Sequence, residues 1–292
     1  MRRDIATLLK QQTAALEAAL SLDTGSARIE VQMLLRRVLG VGRAYLLAHP
    51  EQVLTVEQQS NLEALLHRRL QGEPIAHILG EREFFGLALK VTPDTLIPRP
   101  DTELLVELAL QRIPPPHPCT SGRANVRVLD LGTGSGAIAL SIAHAKPGIE
   151  VLAVDASAPA LEVARENARQ LGIANVSFLQ SDWFYALGNQ SFDLIVSNPP
   201  YVAAGDEHLT RGDVRFEPLS ALVSGADGLD DIRRIVGQAG GFLESQGWLL
   251  LEHGYDQASA VRDLLRQNGF TEVFSAKDIA GIERVSGGII AR

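Results

Sequence analysis

The stretch Val128-Leu-Asp-Leu-Gly-Thr-Gly-Ser-Gly-Ala137 decides the fold of this chain. It runs from an apolar segment, typical of a buried strand, through three alternate glycines into an apolar segment at helical spacing. Because glycine has no side chain, the backbone can turn sharply there, and a ligand can lie against main-chain N–H groups where the helix begins. The stretch therefore predicts a strand, a ligand-binding loop and a helix in succession.

Outward from this loop, strand-like and helical segments alternate to the end of the chain. The predicted strands are Val126–Leu131, Glu150–Val154, Val176–Gln180, Phe192–Ser197, Gly247–Glu252, Thr271–Ser275 and Gly287–Ala291. The predicted helices between them are Ala137–Ala145, Ala158–Leu171, Leu229–Leu243 and Gln257–Gln267. This alternation is typical of an α/β protein whose mostly parallel sheet is doubly wound, with helices on both faces. Seven strands that end in a hairpin-like pair favour a branch of these folds other than the six-stranded dinucleotide fold.

The residues before the loop have a different pattern. Up to about residue 70, apolar residues recur at helical spacing and indicate helices. A short hairpin is predicted over Glu83–Val91, followed by a helix over Thr102–Arg112 that Asp101 is placed to cap. We therefore expect a helical domain over residues 1–85, a hairpin and linker helix over 86–112, and the main domain over 113–292, entered through a proline-rich connection.

Composition limits the classes of protein to be considered. A single cysteine, Cys119, leaves no intramolecular disulfide, and the seven histidines lack the spacing of metal ligands, so we expect a cytoplasmic protein without a metal site. No segment is apolar for long enough to span a membrane. Residues 1–90 carry 11 Lys and Arg against 10 Asp and Glu, whereas residues 91–292 carry 16 against 25. Because phosphate binding needs a basic surface, stable nucleic-acid binding by this acidic region is not expected.

The glycine loop alone permits two interpretations. Gly132, Gly134 and Gly136 fit the GxGxG loop of proteins that bind a methyl donor, whereas Gly132, Gly134 and Ala137 fit the looser dinucleotide pattern. Asp155, at the end of the second strand, can accept hydrogen bonds from both ribose hydroxyls of an adenosine, which is common to the two interpretations. A surface Asp that caps the next helix would have the same pattern.

Two further positions favour the methyl donor S-adenosylmethionine. Asp182 and Trp183 follow the third strand, where a carboxylate can accept from the adenine amino group and a ring can cover the base, although Trp183 could also be a packing residue. Asp130 precedes the glycines, near the place of an amino-acid ammonium group. S-Adenosylmethionine has such a group, whereas a dinucleotide has none and would place pyrophosphate beside the carboxylate.

The fourth strand ends in Asn198-Pro-Pro-Tyr201. A simple turn would account for Asn-Pro, but the carboxyl ends of strands in open α/β sheets are where ligands bind. There the Asn198 side-chain oxygen and the Pro199 carbonyl could each accept a hydrogen from a planar NH₂ group and raise the nucleophilicity of its nitrogen. Pro199 and Pro200 would fix the backbone, and Tyr201 would lie flat on the planar group. We predict Asn198, Pro199 and Tyr201 as catalytic residues and Asn198–Tyr201 as the substrate site.

The sequence also resembles a known family, the HemK-type glutamine methyltransferases of peptide chain release factors. The resemblance rests on segments in the same order: Glu83-Phe-Phe85, Thr95-Leu-Ile-Pro-Arg-Pro-Asp-Thr-Glu103, Asp130-Leu-Gly-Thr-Gly-Ser-Gly136, Asn198-Pro-Pro-Tyr201, Glu217-Pro218 and Gly225-Ala-Asp-Gly-Leu229. Asn-Pro-Pro-Tyr is shared with adenine methyltransferases, but the ordered set is specific. Where the family often has Trp, this chain has Phe85.

The resemblance implies a Rossmann-like class I methyltransferase sheet, with a small helical N-terminal domain that helps to hold the release factor. It implies methyl transfer from S-adenosylmethionine to the glutamine of a Gly-Gly-Gln motif. The family's donor contacts correspond here to Gly132, Thr133, Gly134, Ser135, Gly136, Asp155, Trp183 and Asn198. Arg99 and Phe85 are placed to edge the site. The alternatives are a nucleic-acid adenine methyltransferase, an NAD-dependent oxidoreductase and a non-catalytic donor-binding protein.

Overall fold

The structure, a computed structural model, describes residues 3–114 and 125–291. Cys119 and most of the predicted proline-rich connection lie outside these ranges. The described residues form two compact units. The first holds the chain through Glu81 together with the separate segment His208–Phe216, and the second holds Arg82–Glu207 and Glu217–Arg292. None of the helices within these described ranges is long and apolar enough to cross a membrane.

Five helices make up most of the first unit: α1 (Ile5–Leu20), α2 (Thr24–Leu39), α3 (Arg43–Ala48), α4 (Val56–Leu70) and α5 (Ile75–Leu79). Polar side chains start several of them. Asp4 accepts from the Thr7 N–H at the start of α1, and Thr55 and Gln58 form a reciprocal capping box at the start of α4. The apolar faces meet in a core of their own, with Ile5, Leu16, Leu34 and Leu62 fully buried.

The second unit begins with a two-stranded hairpin, β1 (Glu81–Phe84) and β2 (Leu87–Lys90), followed by α6 (Glu103–Arg112). The expectation that Asp101 caps this helix is wrong. A 3₁₀ turn over Pro100–Thr102 precedes α6, and the residue next to the helix, Thr102, makes no side-chain capping bond. The two prolines before it favour extended backbone, so the chain tightens into helix only gradually.

The main sheet has seven strands, as the alternation of segments predicts. The strands are β3 (Arg127–Leu131), β4 (Glu150–Asp155), β5 (Val176–Gln180), β6 (Phe192–Ser197), β7 (Leu243–Glu252), β8 (Phe270–Lys277) and β9 (Glu283–Ile290). Their spatial order is β5-β4-β3-β6-β7-β9-β8, in which β9 pairs antiparallel with β7 and with β8. The helices between them are α7 (Ala137–Ala145), α8 (Ala158–Leu171), α9 (Asp230–Phe242) and α10 (Ala258–Gln267). This is the expected doubly wound class I methyltransferase sheet.

Successive residues of β3 point into different cores. Val128 packs in the cluster that contains α6 and α7, whereas Leu129 packs in the cluster that contains α9 and α10. Because both faces are covered, the strand is apolar without alternation, as central parallel strands are. At the carboxyl edge, Leu131 lies beside both Val154 and Ser197. The loops that follow β3, β4 and β6 therefore begin side by side.

Candidate active site

A cavity of about 300 Å³ lies in the second unit at this carboxyl edge of the sheet. The structure brings together there nine of the site residues predicted from sequence: Gly132, Thr133, Gly134, Ser135, Asp155, Asp182, Trp183, Asn198 and Pro200. The volume is at the lower end of the range for small-molecule sites. Four other predicted residues, Asp130, Gly136, Pro199 and Tyr201, do not line it among the residues that the structure describes.

The glycine loop takes a backbone conformation that favours glycine. Gly132, Gly134 and Gly136 have φ angles of 73°, 55° and 86°, in the left-handed region that other residues rarely occupy. At Gly136 a Cβ would also lie 3.0 Å from Leu140 Cδ1 and 3.2 Å from Ala164 Cβ. Gly132 lines the cavity and lies close to the Trp183 ring, because a Cβ on Gly132 would be 3.4 Å from that ring.

Hydrogen bonds within the protein occupy most of the loop's main-chain donors. The N–H groups of Gly132 and Thr133 both donate to the Val154 carbonyl, and that of Gly136 donates to the Thr133 carbonyl. The Gly134 N–H donates to Asp155 Oδ2 at 2.8 Å. A dinucleotide loop instead directs such donors at pyrophosphate. Because these N–H groups already donate within the protein, the loop can pack against a ligand but is poorly suited to bind phosphate.

Asp155 has one oxygen for each of two main-chain donors. Oδ2 accepts from Gly134 and Oδ1 accepts from the Ser157 N–H, each at 2.8 Å. Burial raises the pKa of this carboxyl group, while these hydrogen bonds lower it. A carboxylate oxygen can accept more than one hydrogen bond, so both oxygens retain capacity for the two hydroxyls of a ribose in the cavity.

Trp183 and Asp182 also line the cavity, and each is held by a residue of α9. The indole Nε1 donates to Asp231 Oδ1 at 3.2 Å, and the two oxygens of Asp182 accept from Arg234 at 2.9 and 2.7 Å. Trp183 has a φ of 51°, a conformation rare for a bulky residue. Its side chain lines the cavity, where the ring can cover one face of an aromatic base.

Asp130 is fully buried beneath the loop. Its Oδ2 accepts from the Thr133 hydroxyl at 2.7 Å and from the Ala139 N–H at 3.2 Å. Its Oδ1 has no hydrogen-bond partner within the described residues. Burial raises the pKa of this carboxyl group to about 7. The structure therefore places Asp130 as a support of the loop, one layer behind the cavity.

The predicted substrate segment is held at both ends by residues that sequence reasoning missed. At one end, Asn198 Nδ2 donates to the Thr102 hydroxyl at 3.2 Å. At the other, the Tyr201 hydroxyl donates to Glu252 Oε1 at 3.2 Å, and the Tyr201 carbonyl accepts from Gln257 Nε2 at 3.0 Å. The only sequence signal for these partners was the position of Thr102 inside the Thr95–Glu103 segment.

Neighbouring segments of the resemblance also surround the site. A Cβ on Gly228, within Gly225–Leu229, would lie 2.3 Å from the Tyr201 carbonyl oxygen, so only glycine allows this close approach. Arg99 lines the cavity and pairs with the buried Glu217, which also accepts from the Ile97 N–H at 3.1 Å. Phe85 packs instead against the core that contains α6 and α7 and does not line the cavity within the described residues.

Solved structures with similar folds include methyltransferases. A methyltransferase from Pyrococcus furiosus has a TM-score of 0.52 at 21% identity, covering 80% of this chain and 100% of that chain. The delta-N METTL16 MTase domain has a TM-score of 0.52 at 19% identity, covering 72% of this chain and 92% of that chain. Identities this low establish the fold alone.

Sequence comparisons are more specific. Residues 7–80 match the model of the PrmC N-terminal domain, and residues 107–214 match the methyltransferase small domain. Release factor glutamine methyltransferases from Bordetella pertussis and Salmonella typhimurium are 53% and 51% identical to this chain. These alignments cover 92% and 91% of this chain, and 97% and 93% of the relatives. The protein of the same name from Escherichia coli is 51% identical over 89% of this chain and 91% of its own length. The chain therefore belongs to the family of release factor glutamine methyltransferases.

Proposed function

We propose that this protein transfers a methyl group from S-adenosylmethionine to the side-chain nitrogen of the glutamine in the Gly-Gly-Gln motif of a peptide chain release factor. One observation carries the proposal. Asn198 lines the same cavity as the glycine loop, and its Nδ2 is already used by Thr102. Its Oδ1 therefore remains to accept a hydrogen from a planar amide beside the donor.

The residues of the cavity fit S-adenosylmethionine. Asp155 would accept from the ribose hydroxyls, the base would lie against the Trp183 ring, and Asp182 would accept from the adenine amino group. When bound, this donor supplies an electrophilic methyl group on a sulfonium centre. The ionised form of Asp130, a carboxyl group whose pKa burial raises to about 7, would favour the donor's ammonium group through the electrostatic field rather than by contact, because the residue is fully buried.

Asn198 and the residues after it would act on the glutamine. An amide nitrogen is a weak nucleophile because its lone pair is delocalised into the carbonyl group. Asn198 Oδ1 and the Pro199 carbonyl would accept its two hydrogens, which increases electron density on nitrogen and aligns it for attack. The nitrogen forms a bond to the methyl carbon as the carbon–sulfur bond breaks, and the electron pair of that bond goes to sulfur. The nitrogen then loses one proton to solvent.

We further propose that residues 1–85 recognise the release factor, with 86–112 as a connecting hairpin and helix and 113–292 as the catalytic domain. Support comes from the helical unit itself, which exposes several apolar side chains. Leu47, Val53 and Val56 are 56%, 47% and 69% exposed. Exposed apolar residues of this kind suit a protein partner.

The test is incubation with isotope-labelled S-adenosylmethionine and a release factor, followed by peptide mass spectrometry. We expect one methyl group on the glutamine of the Gly-Gly-Gln peptide. A release factor with that glutamine replaced by alanine is the control and should remain unlabelled. Label in added DNA or RNA with none in the release factor would overturn the proposal in favour of an adenine methyltransferase.

A further inference from the structure

Glu252 ends β7, and its carboxyl group is buried against the Asn198–Tyr201 segment. The residue is 2% exposed. Its Oε1 accepts from the Tyr201 hydroxyl at 3.2 Å, which fixes one end of that segment. Burial raises the pKa of this carboxyl group to about 7, while hydrogen bonds from Thr102 and Tyr201 lower it. A carboxyl group with a raised pKa thus contacts Tyr201, the last residue of the Asn198–Tyr201 segment.

Glu252 also reaches the other end of the segment, through Thr102. The Thr102 hydroxyl lies near enough to the Glu252 carboxyl group to lower its pKa. Oε2 of Glu252 is buried and has no hydrogen-bond partner within the described residues, so it can accept the hydrogen of a nearby hydroxyl. Thr102 Oγ1 in turn accepts from Asn198 Nδ2 at 3.2 Å. One carboxyl group therefore connects to both Asn198 and Tyr201.

The charge of the carboxyl group sets the direction of these hydrogen bonds. An ionised carboxylate can only accept, so the Thr102 hydroxyl must point its hydrogen at Glu252. Its oxygen then faces Asn198 as an acceptor and requires the NH₂ side of the amide. This leaves Asn198 Oδ1 for the substrate. If Glu252 is protonated, its carboxyl group can donate to the Thr102 oxygen. The Thr102 hydroxyl can then donate to Asn198, which must present its side-chain oxygen to Thr102. The NH₂ group of Asn198 would then face the substrate.

Two charged residues on other elements act on Glu252 directly. Asp101, in the turn before α6, raises the pKa of Glu252, and Arg284 on β9 lowers it. Arg284 is shared with other carboxylates, because its Nε donates to Asp278 at 3.1 Å and its Nη2 lies 3.9 Å from Asp101. Arg284 therefore does not form a dedicated ion pair that would hold Glu252 ionised at all pH values.

We propose that Glu252 is a positioning residue for methyl transfer, which orients the Asn198 amide through Thr102 and holds Tyr201 directly. The inference rests on the proposed role of Asn198 Oδ1 as the acceptor for the substrate amide. Turnover then requires the ionised form of Glu252 and falls as the pH is lowered through about 7. The rate regains its plateau above that range, because the carboxylate again accepts from both hydroxyls.

The test compares Glu252→Gln with wild type in methyl transfer to a Gly-Gly-Gln release factor between pH 5.5 and 9. Gln keeps the size of Glu but presents a donor at one atom, so we expect kcat to fall ~10-fold or more. The fall of kcat toward acid pH should disappear, and the Kd for S-adenosylmethionine should remain unchanged. Glu162→Gln, at an exposed position of α8, is the matched control and should keep the wild-type profile.

Thr102→Val provides a second, independent variant. It keeps the volume of the side chain, removes the hydroxyl and should reproduce both effects of Glu252→Gln, whereas Thr102→Ser should restore most of the turnover.

Wild-type kcat and pH profile in Glu252→Gln would overturn the proposal. A lower kcat in Glu252→Gln that still falls toward acid pH would also overturn it, because that result assigns Glu252 a structural role only. If Glu252→Gln does not fold, Thr102→Val decides by the same two criteria. Absence of methyl transfer by the wild-type protein refutes the proposed function instead.

Discussion

Asp155 Oδ2 accepts from the Gly134 N–H over 2.8 Å and so joins the end of β4 to the glycine loop after β3. The same carboxylate accepts from the Ser157 N–H at the start of α8. It lines the cavity while it fixes the loop. A substitution of Asp155 would therefore both release the glycine loop and remove a polar group from the cavity. Replacement of Asp155 tests whether the donor binds there.

Asp155→Ala should weaken binding of S-adenosylmethionine. Loss of hydrogen bonds to a charged group costs about 1.5–3 kcal/mol, which corresponds to a roughly 10- to 150-fold higher Kd. Isothermal titration calorimetry with the donor would measure it. Asp263→Ala, at an exposed position of α10, is the control and should bind as wild type does. An unchanged Kd in Asp155→Ala would show that the donor does not bind at this edge of the sheet.

Asn198→Ala should abolish catalysis while it leaves donor binding largely intact. Removal of one preorganised hydrogen-bonding group from a reacting centre typically lowers kcat by ~10²–10³-fold. We expect a loss of this size in release-factor methylation, with the Kd for S-adenosylmethionine within a few-fold of wild type. Asn189→Ala, in an exposed turn before β6, is the matched control. Turnover by Asn198→Ala at the wild-type rate would exclude Asn198 as the acceptor.

Asp130→Asn should stabilise the protein at alkaline pH and not at acid pH. The pKa of this carboxyl group is about 7 in the folded protein, above its ordinary value of 3.8, so the folded state binds the proton more tightly than the unfolded state does. Stability contributed by this group is therefore fully present below about pH 4 and lost as the pH rises to about 7. The loss is on the order of 4 kcal/mol.

Asn fits the site because a single oxygen, Oδ2 of Asp130, accepts both hydrogen bonds, from Thr133 and Ala139. Denaturant unfolding at pH 4.5 and pH 8 would measure the difference between Asp130→Asn and wild type. We expect a gain at pH 8 that is small or absent at pH 4.5. Equal differences at the two pH values would contradict a buried charge at this position.

Much of the fold follows from local sequence. The bounds of α8 and β6 agree with prediction because each is marked by strong local signals. The Ser157 side chain accepts from the Ala160 N–H at the start of α8, and Gly172 ends it with a φ of 66°. β6 is a run of apolar residues that Pro199 and Pro200 cannot extend. β7 is less well marked, and it begins at Leu243, four residues before the predicted start.

Part of the site could be predicted for a similar reason. The glycine loop and Asn198 each follow a strand and Asp155 ends one, and the carboxyl ends of neighbouring parallel strands lie at one edge. Thr102 and Glu252 could not be found in this way. Their contacts with Asn198 and Tyr201 span 96 and 51 residues and depend on how the turn before α6 and the end of β7 pack against that edge. Glu252 lies in none of the motifs, and the Thr95–Glu103 motif that contains Thr102 does not identify its partner.

The attachment of His208–Phe216 to the helical unit could not be predicted from the sequence either. Arg69, with a side chain 3% exposed, connects them. Its guanidinium donates to both oxygens of Glu30 at 2.7 and 3.0 Å and to Asp213 Oδ1 at 2.9 Å. Asp213 lies within the segment, so one buried arginine holds a helix of the unit and the segment together.

Arg69→Met should therefore destabilise the helical unit and release the segment. Removal of one partner from a buried ion pair typically costs ~3–5 kcal/mol, because the remaining charge stays buried and unpaired. Arg68→Met is a matched control on the same helix, since Arg68 is 44% exposed and pairs with Glu73, and exposed pairs contribute only ~0–1 kcal/mol. Limited trypsin digestion would measure the release, because the segment contains Arg211 and Arg215. We expect faster cleavage after these two residues in Arg69→Met than in Arg68→Met or wild type. Equal cleavage rates in the two variants would show that Arg69 does not hold the segment, and the contact would then be incidental to the stability of the unit.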